Sequence, residues 1–217
     1  MKKLLILVVF LIVAPRISAQ QERAITTAVP FLTIAADARA SGMGDMGVAT
    51  SFDAYSQQWN PAKYAFATQK MGVGVSYTPY LETIVNDVSL LNATFYNKLN
   101  NNRGAFAFGL RYFGLGEIEL RQTIDQEATL VKPNEFALDG SYSLKLSQSF
   151  SMAVAGRFIS SNLRFQDGTQ DSQAANAFAV DVAGFYRSPE IAYSNFDGRW
   201  RLGFNISNIG GSLQYDE

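Results

Sequence analysis

Large apolar side chains recur at every second position in several stretches of this chain. In one stretch, Phe106, Phe108, Leu110 and Tyr112 alternate with small or charged residues. Successive side chains of a β-strand point to opposite faces, so a period of two predicts strands with one apolar and one polar face. Runs of about ten such residues are typical of strands that cross an outer membrane.

Seven alternating runs are predicted, and they cover residues 71–78, 87–98, 105–117, 135–146, 150–165, 174–187 and 200–209. Several exceed the roughly five or six residues usual for strands of soluble proteins and suit tilted, membrane-spanning strands. The connections 100–103 and 147–149 are short, which predicts that they are periplasmic turns. The connection 188–199 should lie on the same side, although it is long.

The predicted fold is therefore all-β: an antiparallel transmembrane β-barrel. Bacterial single-chain barrels have an even number of strands, and an open sheet edge in lipid is costly. We therefore expect residues 69–217 to be the first half of a transmembrane β-barrel in a truncated chain. A complete small barrel of about eight strands is the alternative, if one strand escapes detection.

The N-terminus has the features of an export signal. Lys2 and Lys3 precede an apolar run at 4–14 that is too short to span a bilayer, and the small residue Ala19 follows. We expect residues 1–19 to be a cleaved signal peptide and the mature protein to reach the cell outer membrane, with outer-membrane lipid as a partner. Cleavage leaves 15 of the 18 basic residues beside 19 acidic ones, a net charge of −4. This balance argues against a nucleic-acid partner.

Residues 20–68 differ from the rest because they are rich in Ala, Gly and Asp and show no sustained alternation. Asn60-Pro61-Ala62 is a helix-start signal, since Asn can cap a helix and Pro fits its first position. We expect short helices and turns in this segment, ahead of the sheet.

An ordered set of residues in this segment carries a family resemblance. The set is Pro30, Phe31, Arg39, Gly42, Met43, Gly44, Gly47, Asp53, Trp59, Asn60, Pro61 and Ala62. Together these residues resemble the start of the PorV family, outer-membrane proteins of the type IX secretion system of Bacteroidetes-type bacteria. The related PorQ proteins share part of the pattern, and the Asn-Pro-Ala arrangement is similar to the wider FadL-like family.

The resemblance implies a FadL-like barrel of about fourteen strands, with residues 20–68 folded into its lumen as a plug. It also implies that the protein binds exported cargo by the cargo's C-terminal signal domain and shuttles it from the type IX translocon barrel to a surface attachment complex. The translocon barrel, cargo proteins and attachment-complex proteins are then its partners. The alternatives are a FadL-like transporter of hydrophobic small molecules and a structural barrel without transport.

Charged residues on the strands fall in phase with the small and polar positions, so we expect them to face the lumen. They are Arg111, Asp139, Lys145, Arg157, Asp181 and Arg187. They form either a charged ligand path or, as we favour, ion pairs and hydrogen bonds to Arg39, Asp45, Asp53 and Lys63 of the plug. Aromatic residues near strand ends are predicted to form interfacial girdles: Tyr77, Tyr80, Tyr96, Phe165, Tyr186 and Trp200.

The residue types needed for most catalysis are missing. The sequence contains no His and no Cys, which removes the commonest general bases, metal ligands and thiol nucleophiles. We therefore predict no catalytic residue, no metal site, no cofactor and no enzymatic activity.

Overall fold

The computed structural model describes residues 29–80, 87–121, 128–163 and 174–213. The predicted signal peptide 1–19 and Phe165 of the predicted girdle lie outside these ranges. Within them, no helix is both long enough and apolar enough to cross a membrane.

The described residues form antiparallel β-sheets joined by short connections. In chain order the strands are β1 (Met71–Pro79), β2 (Val88–Lys98), β3 (Gly104–Leu115), β4 (Ile118–Leu120), β5 (Thr129–Val131), β6 (Asn134–Lys145), β7 (Phe150–Asn162), β8 (Ala175–Arg187), β9 (Ile191–Ala192), β10 (Asp197–Gly198) and β11 (Arg201–Gly210). One seven-stranded sheet has the order β1-β2-β3-β6-β7-β8-β11. The predicted all-β antiparallel architecture is confirmed, and each strand of this sheet coincides with one of the predicted runs.

Two small hairpins lie within connections that the sequence predicted only as long loops. Strand β4 pairs with β5, and β9 pairs with β10, each outside the main sheet. Strands of two or three residues contain too few positions to show an alternation, which explains why the sequence did not predict them.

The large sheet has a clear difference between its two faces. Its outer face carries exposed apolar side chains, among them Val73, Phe108, Leu138, Phe178 and Leu202. The opposite, inner face is lined by small buried residues, among them Ala107, Ala137, Ala155 and Ala183. Small side chains on the inner face leave room for other parts of the chain to approach the sheet closely.

Residues 29–68, here called the N-terminal segment, pack on the inner face. The segment contains two 3₁₀-helices, Pro30–Thr33 and Pro61–Phe66, and two short α-helices, α1 (Ala38–Gly42) and α2 (Ser56–Trp59). The expected short helices are therefore present. Asn60 caps the second 3₁₀-helix as predicted, because its side chain accepts a hydrogen bond from the Ala62 amide at 3.0 Å, and Pro61 occupies the first position.

The segment and the sheet share three buried apolar clusters. Phe31 packs with Ala137, Ile159 and Ala179; Tyr64 with Tyr96, Ala105 and Ala107; and Phe66 with Ala153, Ala183 and Phe185. The prediction that Tyr96 belongs to an interfacial girdle is wrong. Tyr96 lies on the inner face, 2% exposed, and its ring stacks on that of Tyr64 with centroids 5.0 Å apart.

The strands β1 and β11 form the two edges of the large sheet, and neither has a second neighbour among the described residues. The described strands therefore curve around the segment without closing a barrel. The edge strand β11 carries a bulge between Ile206 and Ile209, where Asn208 has a positive φ of 60°.

Candidate functional site

The candidate site is the interface between the N-terminal segment and the inner face of the sheet. The sheet has two ends: long connections join the strands at the long-loop end, and the turns 99–103 and 146–149 join them at the short-turn end. The segment runs from the first end to the second. Arg111 donates to the Phe31 carbonyl near the start of the segment, and Lys98 Nζ donates to the Ala67 carbonyl near its end, at 3.0 Å. Every motif residue from Pro30 to Ala62 lies within this segment.

The Gly42-Met43-Gly44 motif ends helix α1. Asp37 caps the start of this helix by accepting a hydrogen bond from the Ala40 amide at 2.8 Å. At the other end, Gly44 adopts a φ of +73°, and the next amide donates to the Ala40 carbonyl. A left-handed residue is the usual helix terminator and glycine adopts it without steric cost, so the motif sets where α1 stops.

Arg39 and Asp53 fasten the outer side of the segment. The guanidinium Nη1 lies 2.5 Å from Asp53 Oδ2, and Nη2 donates to Ser51 Oγ at 2.7 Å. Both partners belong to the segment, so this ion pair folds the segment onto itself. It does not connect the segment to the sheet.

Asn60 connects three parts of the molecule. Its side-chain amide donates to the Val48 carbonyl at 3.0 Å and to the Gly184 carbonyl of β8 at 2.9 Å, while its oxygen caps the 3₁₀-helix. Asn60 is fully buried. Next to it, Ser151 of β7 donates to the Ala62 carbonyl at 2.7 Å. The Asn-Pro-Ala motif is therefore the point at which the segment is hydrogen-bonded to β7 and β8.

Lys63 is fully buried although it has no acidic partner within the described residues. Its ammonium donates to the Gly47 carbonyl at 2.8 Å and to Thr50 Oγ1 at 3.2 Å. Burial lowers the pKa of the Lys63 ammonium from 10.5 to about 8, an effect that the charge of Asp53 partly offsets. Gly47 lies directly against the Trp59 ring, where an added Cβ would come within 2.1 Å of the indole. Glycine is therefore required for this close contact.

Tyr64 fills the centre of the segment. Its hydroxyl accepts from the Gln57 amide at 2.9 Å and donates to the Ala54 carbonyl at 2.8 Å. Burial raises the pKa of the Tyr64 hydroxyl well above its usual value, so it stays protonated and keeps both hydrogen bonds.

Arg111 of β3 holds the beginning of the segment. Its Nη1 lies within hydrogen-bonding distance of three backbone carbonyls, those of Phe31, Leu32 and Ile34, at 3.0 to 3.2 Å. Arg111 is 5% exposed. The first 3₁₀-helix therefore ends over a buried cation, which satisfies carbonyl groups that the short helix leaves free.

A buried polar network occupies the middle of the inner face. Arg157 Nη2 lies 3.0 Å from Asp181 Oδ2, and its Nε lies 3.8 Å from Asp139 Oδ2. Gln57 joins the segment to this network, because Nε2 donates to Asp139 at 2.5 Å and Oε1 accepts from Ser141 Oγ at 2.6 Å. Arg157 and the two carboxylates thus orient one another across three strands, and Gln57 links them to the segment.

The bulge of β11 completes the network. The backbone N–H of Asn208 donates to Asp181 Oδ1 at 2.7 Å, and Arg157 Nη1 donates to the side-chain Oδ1 of Asn208 at 2.5 Å. A polar cleft of about 50 Å³ remains beside it, lined by Asn92, Arg111, Asp139 and Arg157 among others. This volume accommodates water molecules rather than a larger ligand.

The six charged strand residues lie on the face that the segment covers, but the expected ion pairs between the segment and the strands are absent among the described residues. Hydrogen bonds join the two instead. Lys145 and Arg187 contact the segment through the Phe66 ring, at 5.0 and 4.7 Å from its centroid. Backbone carbonyls of the segment accept hydrogen bonds from Arg111 and Lys98, and the Gln57 side chain donates to Asp139; a sequence reveals none of these partners.

Several residues of this interface were not predicted from the sequence. Gln57 and Asn208 carried no recognised signal, although Gln57 precedes the Trp59–Ala62 motif by less than one helical turn. Glu135, 3% exposed and bonded to Ser161 Oγ at 2.7 Å, follows the same alternation as Asp139 and could have been found from it. Over the described ranges, no three His, Cys, Asp or Glu residues are placed to hold a metal ion.

A protein-family model described as "Type IX secretion system protein PorV" matches residues 17–217. No curated protein matches the chain.

Proposed function

The chain belongs to the PorV family of type IX secretion system proteins, and on this premise we propose that it binds exported cargo by the C-terminal signal domain and shuttles it from the translocon barrel to the surface attachment complex. Membership assigns the chain to type IX secretion and to an outer-membrane family of secretion components. The proposal includes cleavage of a signal peptide at 1–19 and a plug at 20–68 within the barrel that begins at 69.

The filled inner face is the observation that supports an escort role. The N-terminal segment contacts strands β2, β3, β6, β7 and β8, and its hydrogen bonds reach from Arg111 to Lys98. The segment therefore occupies the inner face along which a polypeptide in transit would pass. Cargo that cannot pass through must bind outside, and the long-loop end is the surface that an outer-membrane barrel presents to the exterior.

The test measures secretion in a deletion strain. We expect cargo with uncleaved C-terminal signal domains to accumulate in the periplasm, and the purified protein to retain cargo only when the signal domain is present. Cargo lacking that domain is the matched control. Normal surface display of cargo in the deletion strain would refute the proposal.

A second candidate is a FadL-like transporter of hydrophobic small molecules. It is favoured by an apolar cavity of about 230 Å³ near the long-loop end, lined by Val29, Leu32, Ile159, Ala177, Ala179 and Leu213 among others. This function predicts impaired uptake of a labelled fatty acid in the deletion strain, with secretion unaffected. Substituting Ala179→Phe would fill the cavity and should reproduce the uptake defect; if it reduces neither uptake nor secretion, the cavity has no part in either function.

A further inference from the structure

Basic residues collect at the short-turn end of the inner face. Strand alternation and register place four cationic side chains there: Lys98, Lys145, Arg187 and Arg201. Arg201 lies directly opposite Arg187 in the ladder, so both point to the same face. Lys70 and Arg103 lie at the adjacent rim, before β1 and in the turn before β3.

These six cations have no carboxylate within 4.0 Å among the described residues, in contrast to five other basic residues. Arg39, Arg121, Lys132, Arg157 and Arg199 each lie within ion-pair distance of an acidic residue. Two acidic residues are found in the connection at the short-turn end, Glu190 and Asp197, and Glu190 is held by Arg199 at 2.8 Å. The short-turn end of the sheet therefore carries a cluster of cations without carboxylate partners.

Phe66 brings two of these cations together. Lys145 Nζ and Arg187 Cζ lie 5.0 and 4.7 Å from the centroid of its ring. The two charges are therefore within about 10 Å of each other, which is the screening length of 0.1 M salt, so they repel one another. The ring attracts each cation but neutralises neither. An anion bound between them would remove this repulsion.

A cleft continues the basic surface toward β1. It has a volume of about 270 Å³ and is lined by Thr68, Lys70, Lys98, Leu99, Asn100 and Asn102. These residues supply two ammonium groups, hydroxyl and amide donors, and no carboxylate. The chemistry of the cleft suits an anionic group.

We propose that the short-turn end of the inner face is a docking site for an acidic polypeptide segment of a second protein. The strands themselves separate the inner-face cations from the surrounding lipid, so a lipid headgroup would reach only the rim. The cations spread from β2 to β11, five strand spacings of about 4.8 Å each or roughly 24 Å. An extended peptide covers that distance in about seven or eight residues, so several carboxylates in series match the site better than one phosphate does.

This partner contact goes beyond the proposed cargo binding, which concerns the opposite end of the molecule. Short turns of an outer-membrane barrel face the periplasm, so the acidic partner is a periplasmic one. The secretion assay tests the proposed cargo function, and a separate binding assay tests this contact. Failure of one proposal therefore does not imply failure of the other.

The test uses a fluorescent octaglutamate peptide and the purified protein in lipid nanodiscs, with binding followed by anisotropy at 50 and 150 mM NaCl. We expect saturable binding that weakens several-fold at the higher salt, as charge-driven contacts do. The double variant Lys145→Gln/Arg187→Gln should reduce affinity at least tenfold. The matched control, Arg121→Gln/Lys132→Gln, removes the same charge from the long-loop end and should stay within twofold of wild type.

Three results would overturn the proposal. They are no octaglutamate binding by the wild type at 50 mM NaCl, an equal loss of affinity in both double variants, or binding of phosphatidylglycerol vesicles in place of the peptide. Lys145 and Arg187 each contact the Phe66 ring, so a lower melting temperature of their double variant would reflect the loss of these contacts. Arg201→Gln alone, at an exposed position, then provides the binding comparison and should also reduce the affinity for octaglutamate.

Discussion

Replacing Asn60 by alanine should release the N-terminal segment from the inner face while the sheet stays folded. The substitution removes a side chain that bonds Val48, Gly184 and Ala62 at once, at 2.9 to 3.0 Å. It leaves the strand-to-strand hydrogen bonds in place. The expected consequence is a local loss of stability in the segment.

The size of the effect follows from the contacts that are lost. Removal of a helix cap costs about 1 kcal/mol, and a buried carbonyl left without its donor costs about 1–3 kcal/mol. Some of the exposed groups will be rehydrated, so we expect a total of about 2–4 kcal/mol. This corresponds to roughly 30- to 1,000-fold faster exchange of amide hydrogens that exchange by local opening.

Hydrogen exchange followed by mass spectrometry measures this directly, in peptides covering residues 56–67. Asn60→Ser retains a hydroxyl for the cap but loses the two donors, so it should fall between alanine and wild type. Gln69→Ala, an exposed position two residues beyond the segment's last buried one, is the control and should leave exchange unchanged. Less than threefold faster exchange in Asn60→Ala would refute the view that this residue fastens the segment.

Burial of Lys63 should make the stability of the protein depend on pH. The pKa of Lys63 is about 8 in the folded chain and 10.5 in the unfolded chain, so between these pH values the unfolded chain binds more protons. Stability relative to Lys63→Met should rise as pH increases from 8 to 10.5, by melting temperature, and a flat difference would contradict the assigned pKa. Single substitution of Arg157 or Asp181 by Leu should destabilise by about 3–5 kcal/mol, and the double Leu variant by less than the sum, in a double-mutant cycle of denaturant unfolding. Gly203→Ala should loosen the segment, because its Cβ would lie 2.4 Å from a backbone carbonyl of residue 48, whereas Gly156→Ala meets nothing within 4 Å; equal protease sensitivity of the two would contradict this.

The strands were predictable because their two faces differ chemically. Apolar residues such as Phe108 and Leu138 lie on the outer face, and small residues such as Ala107 and Ala137 lie on the inner face under the segment. The two kinds of residue therefore alternate along the sequence with a period of two. The ends of the runs differ from the strand ends: the run predicted to reach Glu117 ends as a strand at Leu115. Loops and strand ends depend on tertiary contacts that a local pattern does not contain.

Tyr96 shows where a general expectation overrode a better signal. Proximity to a strand end suggested a membrane-interface position. Tyr96 nevertheless lies two and four residues after Thr94 and Asn92, and this spacing places all three on the inner face, where Tyr96 is 2% exposed. The parity of a residue within its strand decides its face, whereas distance from the end decides only its depth.

The partners of the charged residues were beyond the sequence for a different reason. Alternation indicates the face of Arg157, but its contacts depend on the register of three strands and on the bulge that presents Asn208. Register is set by long-range pairing, and the bulge breaks the alternation locally. For the same reason Gln57, an ordinary amide in the sequence, has a central position in the network.

The continuity of the N-terminal segment with β1 has a consequence for the order of assembly. The last buried residue of the segment, Ala67, is separated from Met71 by three residues, and β2, β3, β6, β7 and β8 each contact the second 3₁₀-helix. A chain that forms its sheet one hairpin at a time therefore offers these five strands two templates, the edge of the preceding strand and the same small helix. The helix thereby shortens the conformational search for the strands that add later to the sheet.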